Sequence, residues 1–92
     1  MHTILPVGVE GLEMVTAYVL VKVEPGKEGE IADNIGKLKD IREAALTWGF
    51  CDILLKVDVE SREKLSELVF QGLRKIPAVK ETQTIIVSEY IL

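Results

Sequence analysis

Two strand-like runs that meet at a three-residue tip constrain the fold of this chain more than any other feature. The first run covers residues 41–48 and the second covers residues 52–59, and Gly49, Phe50 and Cys51 lie between them. A connection this short joins two strands only when they run antiparallel. The sequence therefore predicts a β-hairpin with Gly49-Phe50-Cys51 at its tip.

Amphipathic patterns predict two helices. Ile31, Ile35 and Leu38 recur at helical spacing after the Glu24-Pro25-Gly26 turn, and charged residues fill the positions between them. A longer stripe of apolar residues runs from Ser61, a suitable N-cap, to Ile76, and Pro77 closes it. One helix therefore follows the first strand and another follows the hairpin.

Two further β-branched runs predict the outer strands of the same sheet. One is Tyr18–Val23, and the other lies within residues 79–90 and contains Thr82-Gln83-Thr84-Ile85-Ile86-Val87. The order is strand, helix, strand, strand, helix, strand. This order predicts an α+β fold, the ferredoxin-like βαββαβ plait, with a four-stranded antiparallel sheet and both helices on one face.

Composition bounds the classes of function. Ninety-two residues form one domain, and the net charge of -4 with no clustered basic face disfavours direct nucleic-acid binding. Cys51 is the single cysteine and His2 the single histidine, so we expect no disulfide, no metal site, no cofactor and no nucleophilic role for Cys51. No apolar run is long enough for a membrane span, and the start lacks a basic signal region, which predicts a cytoplasmic protein.

Alternation along the strands assigns a face to each residue. The helix-covered face is expected to be wholly apolar, and its members are Ala17, Val19, Val21, Val23, Ile53, Leu55, Val57, Val59, Ile85 and Val87. The opposite face is expected to hold Tyr18, Leu20, Leu54 and Ile86 among polar residues. Because this second apolar surface needs cover, we predict a homodimer that packs sheet against sheet.

Several of these segments carry a resemblance to a known family. Gly49-Phe50-Cys51-Asp52 followed by Ile53-Leu54-Leu55, the helix end Ile76-Pro77-Ala78-Val79, and Thr82-Gln83-Thr84 have the order and spacing of the Lrp/AsnC effector-binding domain, or RAM domain. The resemblance covers residues 15–90. We assign residues 15–92 to this domain and residues 1–14 to an irregular N-terminal arm.

The resemblance implies function as well as fold. Family domains of this kind dimerise through their sheets, assemble into larger discs such as four dimers, and bind amino-acid effectors between dimers. By resemblance the ligand residues are Trp48, Gly49, Phe50, Asp52, Thr82 and Thr84, although Trp48 stands where the family commonly has threonine or serine. With no helix-turn-helix ahead of the first strand, the chain resembles the stand-alone members, which sense an amino acid or modulate full-length regulators without reading DNA.

The same residues also admit other interpretations. Asp52 is the kind of residue that caps its own hairpin turn, and strand threonines at positions 82 and 84 are commonly solvent-facing. The alternative function is a small enzyme of the dimeric α+β barrel type, which requires a titratable group in an enclosed cavity. An ACT-like regulatory module is a third possibility, since it has a similar fold.

Overall fold

A computed structural model of the chain describes residues 14–92. The elements are β1 (Val15–Val23), α1 (Glu28–Ile35), β2 (Ile41–Leu46), β3 (Ile53–Val59), α2 (Arg62–Glu67) and β4 (Val79–Ile86). This order confirms the ferredoxin-like α+β fold that the sequence predicts. Apart from Met14, the expected irregular arm lies outside the described residues.

The four strands form one antiparallel sheet in the order β2-β3-β1-β4. β1 and β3 occupy the centre, and Leu20 pairs with Leu54 across them. β2 and β4 are therefore the two edge strands of the sheet. The antiparallel pairing of β2 with β3 confirms the predicted hairpin.

The core lies between one face of this sheet and the helices. It contains alternate residues of β1 and β3, such as Val19 and Leu55, packed against Ile31 of α1 and Leu65 of α2. The eight residues that alternation assigned to this face from β1 and β3 are all buried, which confirms that part of the prediction. Removing this apolar surface from water is the main stabilisation of the domain.

The assignment of faces on β4 was wrong. Val19 pairs with Thr84 and Ala17 pairs with Ile86, so Thr84 and Ile86 share the helix-covered face. Ile85 pairs with Tyr18 on the open face and is half exposed. Because apolar residues occupy both parities of this strand, the pattern does not decide its orientation; the hydrogen-bond register with β1 does.

The second predicted helix is less regular than its stripe suggests. Ser61 is the N-cap as expected, and its hydroxyl oxygen accepts a hydrogen bond from the backbone N–H of Lys64 at 3.1 Å. The α-helical part ends at Glu67, and a π-helical turn (Leu68–Gly72) and a 3₁₀ turn (Leu73–Lys75) follow it. Leu65, Val69, Leu73 and Ile76 nevertheless all reach the core.

Several element ends differ from the expected ones. β1 begins three residues earlier than predicted, β2 ends at Leu46 and β4 ends at Ile86. α1 ends at Ile35, so Leu38 packs against the core from the following turn and not from the helix. The hairpin connection thus covers residues 47–52, with Thr47 and Asp52 joined by a backbone hydrogen bond.

Candidate functional site

The hairpin tip is held in shape by hydrogen bonds between its two ends. The backbone N–H of Thr47 donates to the carbonyl oxygen of Asp52 at 2.9 Å, and the Thr47 hydroxyl donates to the carbonyl oxygen of Cys51 at 2.7 Å. Between them Gly49 has a φ of +137°, which side chains rarely allow, and a Cβ there would meet no atom within 4 Å. Glycine is therefore required at position 49 by backbone conformation and not by crowding.

Asp52 connects the tip to the end of β1. Its backbone N–H donates to the carbonyl oxygen of Val21, and its Oδ2 accepts a hydrogen bond from the backbone N–H of Val23, both at 2.9 Å. The side chain thus satisfies a donor on the neighbouring strand and does not cap its own turn. Within residues 14–92, Oδ2 is the only side-chain oxygen of Asp52 that accepts a hydrogen bond.

A cleft of about 490 Å³ opens beside this tip. It is lined by residues from the tip, from the end of β1 and the turn after it, and from the start of β4: Lys22, Val23, Pro25, Gly49, Phe50, Asp52, Lys80 and Glu81. The ammonium group of Lys22 lies 4.7 Å from the centre of the Phe50 ring, a cation–π contact. The cleft therefore combines two ammonium groups, two carboxylates and one aromatic ring.

An irregularity in the sheet contributes one of these charges. Lys22 pairs with Glu81 but Val23 pairs with Val79, so Lys80 is an extra residue on β4. A bulge of this kind turns side chains away from strict alternation and often lies beside a binding site. Here it brings Lys80 and Glu81, which are adjacent in sequence, to the same cleft.

The ligand residues expected from the sequence do not all lie together. Gly49, Phe50 and Asp52 line the cleft at the tip, whereas Thr82 and Thr84 line a separate depression on the helix side of β4. Trp48 is fully exposed and lines neither of these two. Within one chain, therefore, five of the six expected residues are divided between two surfaces, and Trp48 lies on neither.

The second depression lies between α2 with its π-helical turn and the edge strand β4, and we refer to it as the α2–β4 groove. Its volume is about 450 Å³, and it is lined by Arg62, Leu65, Ser66, Val69, Phe70, Arg74, Thr82, Thr84 and Ile86. The Arg74 guanidinium lies 5.1 Å from the centre of the Phe70 ring. The charged residues that line the groove are both arginines.

Sequence reasoning missed Lys22, Lys80 and Glu81. The topology alone contains the signal for them, because the order β2-β3-β1-β4 brings the start of β3, the end of β1 and the start of β4 to one end of the sheet. The order of the strands contains no comparable signal for the groove residues Arg62, Phe70 and Arg74. Their placement depends on the π-helical turn and on the orientation of β4.

The open face of the sheet carries a polar cluster beside its leucines. The Lys56 ammonium lies 5.7 Å from the centre of the Tyr90 ring. A hydrogen bond with Tyr90, with smaller effects of burial and charge, raises the pKa of the Tyr18 hydroxyl above its ordinary value. Tyr90, chiefly through its charge when ionised, raises the pKa of Lys56. The C-terminal segment therefore reaches back over the open face.

Of the four residues predicted for a dimer interface, Tyr18, Leu20 and Leu54 lie on this open face and are partly exposed. Ile86 lies on the opposite, helix-covered face and lines the α2–β4 groove, which corrects its assignment. Ile85 takes its place beside Tyr18.

Cys51 is part of the packed interior and not of either surface. Its side chain is buried, with Sγ 3.5 Å from the Thr47 hydroxyl. Over residues 14–92, no group of three His, Cys, Asp or Glu side chains is arranged to hold a metal ion. In the same described part of the chain, no helix has the length and apolar character needed to cross a membrane. His2 lies outside the described residues.

The fold and the cleft together define the class of protein. It is a ferredoxin-like α+β domain with a cleft of mixed charge at the hairpin end of its sheet. The chain belongs to the Lrp/AsnC family, since the family model of the Lrp/AsnC ligand-binding domain matches residues 16–92. This finding confirms the resemblance seen in the sequence.

Known proteins similar to the chain agree with this assignment. An uncharacterised helix-turn-helix-type transcriptional regulator of Pyrococcus furiosus is 35% identical over 78 residues, which are 85% of this chain and 52% of that protein. The crystal structure of FFRP-DM1 has a TM-score of 0.75 and 29% identity and covers 79% of this chain and 97% of that one. A transcriptional regulator of Neisseria meningitidis solved with L-methionine has a TM-score of 0.79 at 19% identity, covering all of this chain and 60% of that one. The chain spans about half the length of the curated relatives it matches.

Proposed function

We propose that this chain is an amino-acid-sensing regulatory domain that oligomerises and modulates Lrp/AsnC-type transcription regulators, without DNA contact of its own. The proposal combines family membership with the chemistry of the cleft at the hairpin tip. A net charge of -4 supports the absence of direct DNA contact, because binding to phosphates needs clustered lysine and arginine.

The composition of the cleft is the observation that carries the proposal. A free amino acid presents one carboxylate and one ammonium group, and each must be paired when water is removed. Lys22 and Lys80 provide cations for the carboxylate, and Asp52 and Glu81 provide anions for the ammonium. The Phe50 ring provides an apolar surface for a side chain.

Similar proteins support the nature of the ligand. The regulator of Neisseria meningitidis was solved with an amino acid, L-methionine. Because that regulator is only 19% identical to this chain, the similarity supports a common fold and nothing more. Which amino acid binds this chain is therefore a question for experiment. Trp48, Thr82 and Thr84 stay in the proposal as ligand contacts that become available where copies of the chain meet.

We also propose that assembly begins with a homodimer. Tyr18, Leu20 and Leu54, now joined by Ile85, form a partly apolar open face that a second copy can cover by isologous packing. Higher oligomers such as a tetramer of dimers would then form from these dimers. We propose a cytoplasmic location for the assembly, with the relatives' role in transcription as its support.

The alternative, an enzyme of the dimeric α+β barrel type, has less support. Such an enzyme needs an ionisable group in an enclosed space between sheet and helices. In residues 14–92 the buried side chains are all apolar, apart from the thiol of Cys51. The curated relatives are named as transcriptional regulators and not as enzymes.

Thermal unfolding in the presence of each of the twenty amino acids tests the sensing proposal. A ligand that binds only the folded form raises Tm, and at a concentration of about 100 times Kd it adds about 2.7 kcal/mol to the free energy of unfolding. We expect at least one amino acid at millimolar concentration to raise Tm. Asp52→Asn should reduce this increase, because it removes one of the two anions that can pair with the ammonium.

The asparagine variant separates binding from folding. Its side-chain oxygen still accepts the hydrogen bond from the Val23 N–H, so Tm without ligand should change little. Asp33→Asn, at an exposed position of α1, is the matched control and should keep the full response. If no amino acid raises Tm, or if Asp52→Asn responds as the parent does, this cleft is not an amino-acid sensor.

A further inference from the structure

The two arginines of the α2–β4 groove have no anionic partner within the described chain. Among residues 14–92, every ion pair uses a cation other than Arg62 and Arg74. The Arg74 guanidinium lies over the Phe70 ring, and a guanidinium stacked in this way still presents N–H donors at its edge. The groove therefore carries two positive charges that no carboxylate of residues 14–92 neutralises.

Three hydroxyl groups line the same groove. Ser66 belongs to α2, and Thr82 and Thr84 belong to β4. The two threonines share the helix-covered face of β4, because Thr82 pairs with Val21 and Thr84 pairs with Val19. A hydroxyl donates one hydrogen bond, and a carboxylate oxygen accepts such bonds readily. The groove thus adds hydroxyl donors to its two cations.

The acidic residue of β4 lies elsewhere. Glu81 pairs with Lys22 on the other parity of the strand and lines the cleft at the hairpin tip. Among the described residues that line the groove, none is acidic. An ammonium group placed there would meet two like charges and no carboxylate, which is unfavourable. In a single chain the groove therefore suits an anion better than a zwitterion such as a free amino acid.

Hydrocarbon separates the two charges. Leu65, Val69 and Ile86 line the groove together with the arginines. Arg62 is the first residue of α2 and Arg74 lies in the 3₁₀ turn, so at about 1.5 Å per residue their Cα atoms are about 18 Å apart along the axis. The side chains reach into one depression of about 450 Å³. A molecule with an anionic group at each end and methylene groups between them matches this pattern.

We propose that the α2–β4 groove binds a dicarboxylate, an organic acid with a carboxylate at each end, a short hydrocarbon chain and no ammonium group. Arg62 and Arg74 each bind one carboxylate, because the planar guanidinium fits two carboxylate oxygens at once. The hydroxyls of the groove donate further hydrogen bonds, and its apolar lining contacts the methylene groups. This site is separate from the cleft at the hairpin tip, so the proposal goes beyond amino-acid sensing and does not rest on it.

Isothermal titration calorimetry with succinate, glutarate, adipate and suberate tests the site. The full chain is titrated in about 150 mM NaCl, where exposed charges are screened beyond about 8 Å. We expect one molecule bound per chain and the lowest Kd at one chain length of the series, because the methylene groups set the distance between the carboxylates. Hexanoate, which has the length of adipate but one carboxylate, should bind at least about tenfold more weakly than adipate.

Competition measures the effect of an ammonium group. Glutamate is glutarate with an ammonium group on the second carbon, and in the groove that group meets the two guanidiniums. We expect glutamate to displace bound glutarate only at a concentration about tenfold higher than unlabelled glutarate requires. Displacement at equal concentration would contradict the preference for a ligand without an ammonium group.

Substitutions locate the bound acid. Arg62→Gln and Arg74→Gln each remove one charged partner, and each should raise the Kd of the tightest dicarboxylate by about tenfold or more. Lys75→Gln removes the charge next to Arg74, which does not line the groove, and should leave Kd unchanged. Lys22→Gln removes a cation of the tip cleft and should also leave Kd unchanged. Circular dichroism checks that all four variants are folded.

Three results would overturn the proposal. One is the absence of binding by every dicarboxylate of the series at millimolar concentration. Another is binding that both arginine variants leave unchanged and Lys22→Gln weakens, since the acid would then lie in the tip cleft. The third is hexanoate or inorganic phosphate binding as tightly as the tightest dicarboxylate, because two separated carboxylates would then not be recognised. The sensing proposal fails instead through Tm with amino acids and Asp52→Asn, so either proposal can fail without the other.

Discussion

At the scale of single residues, a few backbone conformations fix the connections between elements. Ala78 has a φ of +75° and lies between the second helix and β4, where its carbonyl oxygen accepts a hydrogen bond from the backbone N–H of Glu24. Asp40 has a φ of +69° and its carbonyl oxygen accepts from the N–H of Asp58. In both turns a left-handed residue that is not glycine allows a hydrogen bond that joins distant segments.

Ala78→Gly should stabilise the domain. Left-handed geometry costs a residue with a Cβ about 1–2 kcal/mol. Glycine relieves this cost but has greater entropy in the unfolded chain, which offsets about 0.4–1 kcal/mol. We therefore expect a gain of about 0.5–1 kcal/mol in the free energy of unfolding, measured by urea denaturation.

The same substitution in a helix is the control for this prediction. Ala32 is exposed in α1, where glycine costs about 0.5–1 kcal/mol. Ala32→Gly should therefore lower stability by that amount. A loss of stability in both variants would show that the left-handed strain at position 78 is not released by glycine.

At the scale of elements, the C-terminal segment meets the sheet where the Lys56 ammonium lies 5.7 Å from the centre of the Tyr90 ring. Hydrogen bonding with Tyr90 is the largest cause of the raised pKa of Tyr18, and the charge of ionised Tyr90 is the largest cause of the raised pKa of Lys56. A raised pKa in the folded state means that the folded form retains protons more strongly than the unfolded form. Stability from these groups is then present at lower pH and lost as pH rises through the folded pKa.

Alkaline unfolding tests this connection. For Tyr18 the ordinary pKa is 10.0, so its contribution should be complete below that pH and should decline above it. Tyr90→Phe removes the hydrogen-bonding hydroxyl, and we expect its free energy of unfolding to depend less on pH above 10 than that of the parent. Urea denaturation at a series of pH values measures both curves, and identical slopes would contradict the connection.

At the scale of the whole molecule, the single chain leaves three surfaces for further contacts. The open face carries Leu20 and Leu54, the tip carries Trp48, and the α2–β4 groove carries its two arginines. The first is self-complementary and suits the two-fold dimer proposed above.

Leu54→Lys should separate the dimer. Leu54 lies between Leu20 and Ala45 on neighbouring strands, near the centre of the open face. An ammonium group buried there without a partner should raise the dimer Kd by about 100-fold or more. Size-exclusion chromatography with light scattering measures the mass of the particle.

Leu92→Lys is the matched control, because Leu92 is fully exposed at the C-terminus and should tolerate lysine. If the parent is a monomer, or if Leu54→Lys remains a dimer, the open face is not the dimer interface. In either case the fold itself is unaffected, since Leu54 is not among the buried core residues.

The sequence by itself determined the order of elements and the core of the two central strands. In β1 and β3 one parity is wholly apolar, whereas the other also contains charged residues such as Lys22 and Lys56, so Val19 and Leu55 had one possible face. The hairpin with Gly49 at its tip was equally predictable from the sequence, because so short a connection forces a hairpin. The hairpin that carries the tip half of the candidate site therefore followed from local pattern, whereas the ligand role of its residues came from the family resemblance.

Only the tertiary structure decided the orientation of β4 and the make-up of both depressions. β4 has apolar residues on both parities, and its face is fixed by hydrogen bonds to β1 and by the extra residue Lys80. Because of that register, Thr82 and Thr84 line a different depression from Asp52, whereas Lys80 lines the same cleft as Asp52. The physical reason is that the register of an edge strand is set by its pairing with the neighbouring strand. The edge strand's own sequence does not contain that information.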